Sequence, residues 1–207
     1  GLFLKAAPDL MAAPTPGTQL VFVLAEFDAS GVGRNVTILQ PLSGGMGAYR
    51  GHDGVDCRDS TMSNMSNHCI EFVEADCGVI IREYDIHPDS GGAGRWRGGS
   101  ALVMELENTG LSATMTVRGL NRFHFRPWGV NGGDAGQVGK VIFNPGKPDE
   151  RSIGKIMILE LKRGDVVRMV TPAGAGFGDP LEREPEKISN DVRAGLDNIW
   201  NTMRNCM

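Results

Sequence analysis

Twenty-nine glycines and eleven prolines among 207 residues constrain this chain more than any other feature. Neither residue is tolerated in a helix interior, so their abundance demands many tight turns between short strands. Much of the glycine falls in three loops, SGGMGAYRGHDGVD (43–56), DSGGAGRWRGG (89–99) and TPAGAGFGDP (171–180). The middle loop joins backbone freedom to planar cations, and two readings of it are open. Successive backbone N–H groups can form a concave anion nest, to which Arg95 and Arg97 add donors suited to carboxylate or phosphate. Equally, a crowded set of turns requires glycine for geometry alone, with Arg95, Trp96 and Arg97 stacked on their neighbours. No G-x-x-x-x-G-K-[ST] occurs, and Gly92, Gly94 and Gly98 miss G-x-G-x-x-G by one position, so there is no nucleotide signature.

Between the loops lie strand-like runs. QLVFVLAEF (19–27) and NVTILQPL (35–42) flank the turn-forming DASGVG, and CIEFVEAD (69–76) and GVIIREYDI (78–86) are dense in β-branched and aromatic residues. ALVMELEN (101–108) and SATMTVRG (112–119) are separated by Thr109, Gly110 and Leu111, which is hairpin spacing. KIMILELKRGDVVRMV (155–170) reads as a second hairpin turning near Arg163 and Gly164, and VGKVIFNP (138–145) as a further strand. Leu102, Met104 and Leu106 alternate with Glu105 and Glu107, the pattern of a sheet with one wet face. Residues 1–18 form a lead-in with a short helical stretch ended by Pro14 and Pro16. From Pro185, the apolar residues Ile188, Val192, Leu196, Ile199, Trp200 and Met203 recur at helical spacing. The expected fold is α+β, mostly β: short antiparallel strands with glycine-rich loops in residues 1–184, and a C-terminal amphipathic helix in 185–207.

A net charge of −4 and a pI near 5.6 give no long-range attraction to nucleic acid or to an anionic membrane. The apolar run LVFVLA (20–25) is too short for a secretory or membrane-spanning segment. Cys57, Cys69, Cys77 and Cys206 have no C-x-x-C spacing, so they are expected to be reduced thiols of a cytoplasmic protein. The chain starts at Gly1, as a processed product, a trimmed chain or one piece of a larger polypeptide would.

His52, His68, His87 and His124 form no H-E-x-x-H, and His68 with Cys69 and Cys77 fits no structural zinc spacing. No G-x-S-x-G elbow offers a nucleophile. MSNMSNHCIEFVE (62–74) holds the amides Asn64 and Asn67 and the carboxylates Glu71 and Glu74, read either as polar catalytic groups or as a polar turn beside a solvated strand edge.

Taken in order, SGGMGAYRGHDGVD, MSNMSNHCIEFVE, HPDSGGAGRWRGG (87–99), RFHFRPWGVNGGDAG (122–136) and LKRGDVVRMVTPAGAGFGDP (161–180) resemble the C-terminal portion of the hydantoinase B family. That family includes the B subunits of N-methylhydantoinases, a region of 5-oxoprolinase, and subunits of acetone and acetophenone carboxylases. The resemblance implies an A-type partner that binds ATP and phosphorylates a substrate oxygen, followed by opening of a cyclic amide or by carboxylation of a ketone. Asn64, Asn67 and Glu71 match the family motif and are the implied catalytic residues. Asp89, Gly91, Gly92, Gly94, Arg95 and Arg97 would bind the small anionic substrate. The implied divalent metal belongs to the N-terminal portion of a B-type subunit, a second expected partner, so no metal ligand is assigned here; Met65, His68 and Cys69 depart from the motif.

Overall fold

A computed structural model describes residues 2–17, 20–58, 68–118, 123–153 and 158–198. Among the described residues nine strands form two antiparallel sheets: β1 (Leu20–Phe27), β2 (Gly33–Leu42), β3 (Val79–His87), β4 (Ala101–Asn108), β5 (Ser112–Arg118), β6 (Lys140–Phe143), β7 (Arg151–Ser152), β8 (Leu159–Lys162) and β9 (Val166–Val170). One sheet has the order β2-β1-β5-β8 and the other β3-β4-β9-β6-β7. Alternate residues of both sheets meet in one core, with Phe22, Leu24, Met115 and Leu161 from the first and Leu106, Val141, Val167 and Met169 from the second. Each large side chain buried this way contributes about 1.5–3 kcal/mol, which makes this layer the main source of stability. β1 and β2 pair across the expected turn, where Asp28 Oδ1 accepts the Ser30 and Val32 N–H groups at 2.8 and 3.0 Å.

Three expectations are corrected. The two supposed hairpins are crossings between sheets: β4 and β5, like β8 and β9, are joined by short turns but belong to different layers. Buried Asn108 ties the two crossings together. Its N–H donates to the Asp165 carbonyl at 2.9 Å, its carbonyl accepts the Gly164 N–H at 2.8 Å, and its Oδ1 accepts the Gly110 N–H at 3.2 Å. Residues 69–76 do not form a strand; Ile70–Asp76 is a helix, α2. Val73 and Cys77, four residues apart, turn one helical face to the core, and α2 bridges the edge strands of the two sheets. Thr37 donates to Asp76 Oδ2 at 2.8 Å from β2, and Glu74 accepts the Ile81 N–H at 2.7 Å from β3.

The lead-in contains the helix α1 (Leu2–Ala6) and a 3-10 turn, Pro8–Leu10. The C-terminal helix starts at Pro185 as read, but α3 (Pro185–Arg193) stops where Gly195 takes a φ of +72°. Leu196 therefore lies in a turn, and Ile199, Trp200 and Met203 lie outside the described residues.

Candidate functional site: a glycine layer and its ion network

The segments 43–57, 89–100, 127–137 and 171–179 run against one another through many backbone hydrogen bonds, around a small cluster of Ala48, Trp96, Val130, Ala175 and Phe177. Gly99 N–H donates to Met46 O at 2.8 Å, Gly174 N–H to Gly99 O at 2.9 Å, Gly92 N–H to Gly174 O at 2.9 Å and Val130 N–H to Gly176 O at 3.1 Å. Trp96 and Phe177 exchange two backbone bonds of 3.0 and 2.9 Å. None of Gly91, Gly92, Gly94, Gly98 and Gly99 has a positive φ. They are glycines because a Cβ would strike backbone: that of Gly98 for Gly91, of Asp134 for Gly92, of Phe177 for Gly94 and of Gly174 for Gly98. Close approach, rather than turning, is what the opening composition encodes.

Five charged residues clamp this layer. Arg97 grips Asp56 with Nη1 and Nη2 at 2.8 and 3.1 Å and reaches Asp191 through Nε at 3.1 Å. Arg183 grips Asp53 at 2.7 and 3.2 Å and Asp191 at 2.6 Å. The backbone N–H of Arg97 closes the circuit on Asp53 at 2.8 Å. Burial opposes ionisation of Asp53 and Asp56, but hydrogen bonds and positive charge from Arg183 and Arg97 respectively outweigh it and hold both carboxyls below their ordinary range. The guanidinium groups are likewise disfavoured by burial and then stabilised more strongly by their carboxylates. The network thereby joins two glycine loops to α3.

The sequence-derived residues divide accordingly. Asn64 and Asn67 lie outside the described residues. Glu71 is exposed on α2, away from the glycine layer in sequence and element. Asp89 has a φ of +56°; its Oδ1 accepts the Asn198 N–H at 2.7 Å and its carbonyl accepts from Gln137 Nε2 at 2.6 Å. Gly91, Gly92 and Gly94 are packed backbone. Arg97 is enclosed by carboxylates, whereas the Arg95 side chain is 47% exposed, lies 4.9 Å over the Trp96 ring and meets exposed Glu182 at 3.0 Å. Sequence reasoning missed Asp53, Asp56, Arg183 and Asp191. The available signal was a pair of acids three apart in one glycine loop opposite Arg-Trp-Arg in another.

Among the described residues the histidines and thiols do not converge. Exposed His68 packs on Phe72 with ring centroids 5.7 Å apart, Cys69 is exposed, and buried Cys77 donates to Val73 O at 2.9 Å. Burial pushes the Cys57 and Cys77 thiols up to about 12, so both stay protonated. Among the described residues no group of three His, Cys, Asp or Glu side chains could hold a metal ion. Nor is any described helix long and apolar enough to cross a membrane. One groove of about 410 Å³ runs between α1 with its 3-10 turn and residues Trp128–Asn131.

A family model described as hydantoinase B/oxoprolinase matches residues 1–180. The caprolactamase subunit beta of Pseudomonas jessenii is 33% identical over 176 residues, 78% of this chain and 29% of that protein. The crystal structure of the ATP-dependent caprolactamase from the same organism superposes with a TM-score of 0.80 at 26% identity, covering 96% of this chain and 35% of that one. The nucleotide-free acetone carboxylase structure has a TM-score of 0.79 at 17% identity, covering 98% and 31%. The first curated relatives are matched over only about a quarter to a third of their own length.

Proposed function

Because the chain belongs to the hydantoinase B/oxoprolinase family, we propose that it works within an ATP-dependent, multi-subunit complex that opens a cyclic amide. An unstrained lactam is a poor electrophile until its oxygen is converted to a phosphate ester, so activation and ring opening divide naturally between subunits. In this reading an A-type subunit binds ATP. The amides of Gly92, Arg95, Trp96, Gly98 and Gly99 are already committed to backbone carbonyls, which agrees with placing the nucleotide elsewhere. In the same reading the divalent metal belongs to the remaining portion of a B-type polypeptide. This chain supplies Asn64, Asn67 and Glu71 as polar groups toward the substrate and Arg95 as the cation facing an anionic intermediate. The Arg95 backbone is held by its N–H on the Gly178 carbonyl at 3.1 Å and by Arg183, whose Nη1 donates to the Arg95 carbonyl at 3.2 Å. The complex is assigned to the cytoplasm.

The observation that carries the amide-opening reading is the likeness to caprolactamase, in sequence and across nearly the whole chain in structure. A ketone carboxylase subunit is the second reading; the acetone carboxylase superposition, at 17% identity, speaks for the fold alone. A purely structural subunit is the third. The test is product analysis of the reconstituted complex given ATP and a panel of lactams: a ring-opened acid is expected, while strict dependence on bicarbonate and a ketone would select the carboxylase. In the same complex, Arg95→Ala is expected to cut turnover by about tenfold or more with assembly intact, as loss of a charge-assisted contact does. Unchanged turnover would make Arg95 architectural.

A further inference from the structure

Arg95, Arg97 and Arg183 meet at the glycine layer, and Arg95 is held differently from the other two. Arg97 and Arg183 each contact two aspartates and are nearly enclosed. The Arg95 side chain is 47% exposed and, among the described residues, has one carboxylate contact, Nη1 to Glu182 Oε2 at 3.0 Å. Glu182 is 59% exposed and pairs with no other cation among the described residues. A single contact between two wet side chains contributes little, unlike an enclosed pair gripped at two points.

The backbone on both sides of this pair is nonetheless fixed. The Arg95 N–H donates to Gly178 O, its carbonyl accepts from Arg183, and Trp96 exchanges two bonds with Phe177. Glu182 ends a 3-10 turn, Pro180–Glu182, capped by Asp179, whose Oδ1 accepts the Leu181 N–H at 2.9 Å and whose carbonyl accepts the Glu182 N–H at 3.0 Å. The following residue, Arg183, is locked to Asp53 and Asp191. Only two side chains therefore have to move for the pair to part. A Cβ at Gly178 would meet Arg95 Cβ at 3.0 Å and the Trp96 ring at 3.6 Å, so the glycine leaves the guanidinium its place over the ring.

We infer that Glu182 is a displaceable counter-ion of Arg95: it screens the guanidinium from neutral molecules and yields it to a small oxyanion, a phosphate ester more readily than a carboxylate. The inference rests on the reading above, in which Arg95 faces a phosphorylated intermediate, and adds how the site tells that intermediate from the unactivated lactam. A neutral amide cannot replace the charge of Glu182. A phosphate ester brings up to about two negative charges and three acceptor oxygens, and it suits the planar fork of N–H donors that Glu182 leaves largely unfilled.

The test uses phenylglyoxal, which modifies accessible guanidinium groups, on the purified complex, with each arginine read by peptide mass spectrometry. Arg95 is expected to react, and Arg97 and Arg183, only 14% and 8% exposed, serve as enclosed controls. Inorganic phosphate should protect Arg95, acetate should do so only at higher concentration, and neutral caprolactam should not. Glu182→Gln keeps the shape and removes the charge, so it should lower the phosphate concentration for half-protection about fivefold, the factor an exposed ion pair is worth. Equal half-protection in the two proteins, protection by caprolactam as good as by phosphate, or an Arg95 that phosphate does not protect or phenylglyoxal does not reach, would overturn the inference. ATP-dependent lactam opening is assayed on the same preparations. If rings open while Glu182→Gln shifts nothing, the functional reading survives and the counter-ion role does not. If the shift appears and no ring opens, the oxyanion site stands and the amide-opening reading fails.

Discussion

Gly98 and Gly33 carry the same side chain, a hydrogen atom, for unequal reasons. A Cβ at Gly98 would collide with the Gly174 carbonyl group, a part of the chain that cannot yield without moving the adjoining glycine segments. Gly33, at the start of β2, has open space around it and no positive φ. Gly98→Ala is therefore expected to destabilise by about 3 kcal/mol or more, beyond the usual cost of overpacking because the obstruction is backbone. Gly33→Ala is expected to stay within about 0.5 kcal/mol of the native chain. Urea unfolding of the two variants side by side checks this, and equal effects would remove the claim that close approach dictates the layer. The composition of residues 89–99 left an anion nest and a crowded set of turns open. It could not choose between them, since most of the atoms a Cβ would meet belong to residues far away in sequence: Val55, Asp134, Gly174 and Phe177.

At the scale of elements, α2 stands out because its residues resemble those of a strand. Its role is to close the core between β2 and β3, and Val73 is its buried anchor. Val73→Ala should cost about 1–3 kcal/mol through lost burial and residual cavity. Phe72→Ala, at a position 53% exposed on the same helix, should cost far less. Thermal unfolding followed by circular dichroism discriminates the two, and parity between them would mean that α2 does not seal the core. The same contrast explains what was legible. β1, β3, β4, β5 and β6 could be read directly from alternation and β-branched content. Their partners could not, because inward residues of either sheet satisfy the same apolar pattern, and only the pairing of β4 with β9 and of β5 with β8 shows that the β4–β5 and β8–β9 turns cross between layers. For 69–76, Val73 and Cys77 carried the helical spacing, but Ile70, Phe72 and Val73 outweighed it as strand formers. Pro185 marked the start of α3, but the apolar spacing read out to Met203 overran Gly195, past which the helix does not continue. Of the candidate site, the loops were visible in the sequence, while the carboxylates that occupy Arg97 were not, because Asp56 and Asp191 come from opposite ends of the chain.

Across the whole molecule, the ion network decides whether the glycine layer and α3 stay together. Asp53, Asp56 and Asp191 face Arg97 and Arg183, whose side chains are only 14% and 8% exposed. Protonating the acids strands two enclosed guanidinium groups. Asp53 and Asp56 both have folded-state pKa values below their unfolded ones, so the unfolded chain binds protons first as the solution is acidified. Their contribution is complete above the ordinary carboxyl pKa of about 3.9 and disappears as pH falls through the lower folded-state values. The double variant Asp53→Asn, Asp56→Asn is then expected to be less stable than the native chain at pH 7, by roughly 3 kcal/mol, the order associated with leaving a buried charge without its partner. The gap should narrow below pH of about 4, where the carboxyls of the unfolded native chain take up protons first, and close as the folded ones follow at lower pH. Unfolding free energies measured at pH 7, 5, 4 and 3 follow that convergence, and proteolysis near Pro185 reports whether α3 leaves the body first. A gap that stays constant down to pH 3 would mean that the carboxylates do not hold the layer by charge. The glycine backbone would then owe its cohesion to its own hydrogen bonds, and substitutions in the network would have no route to the presentation of Arg95.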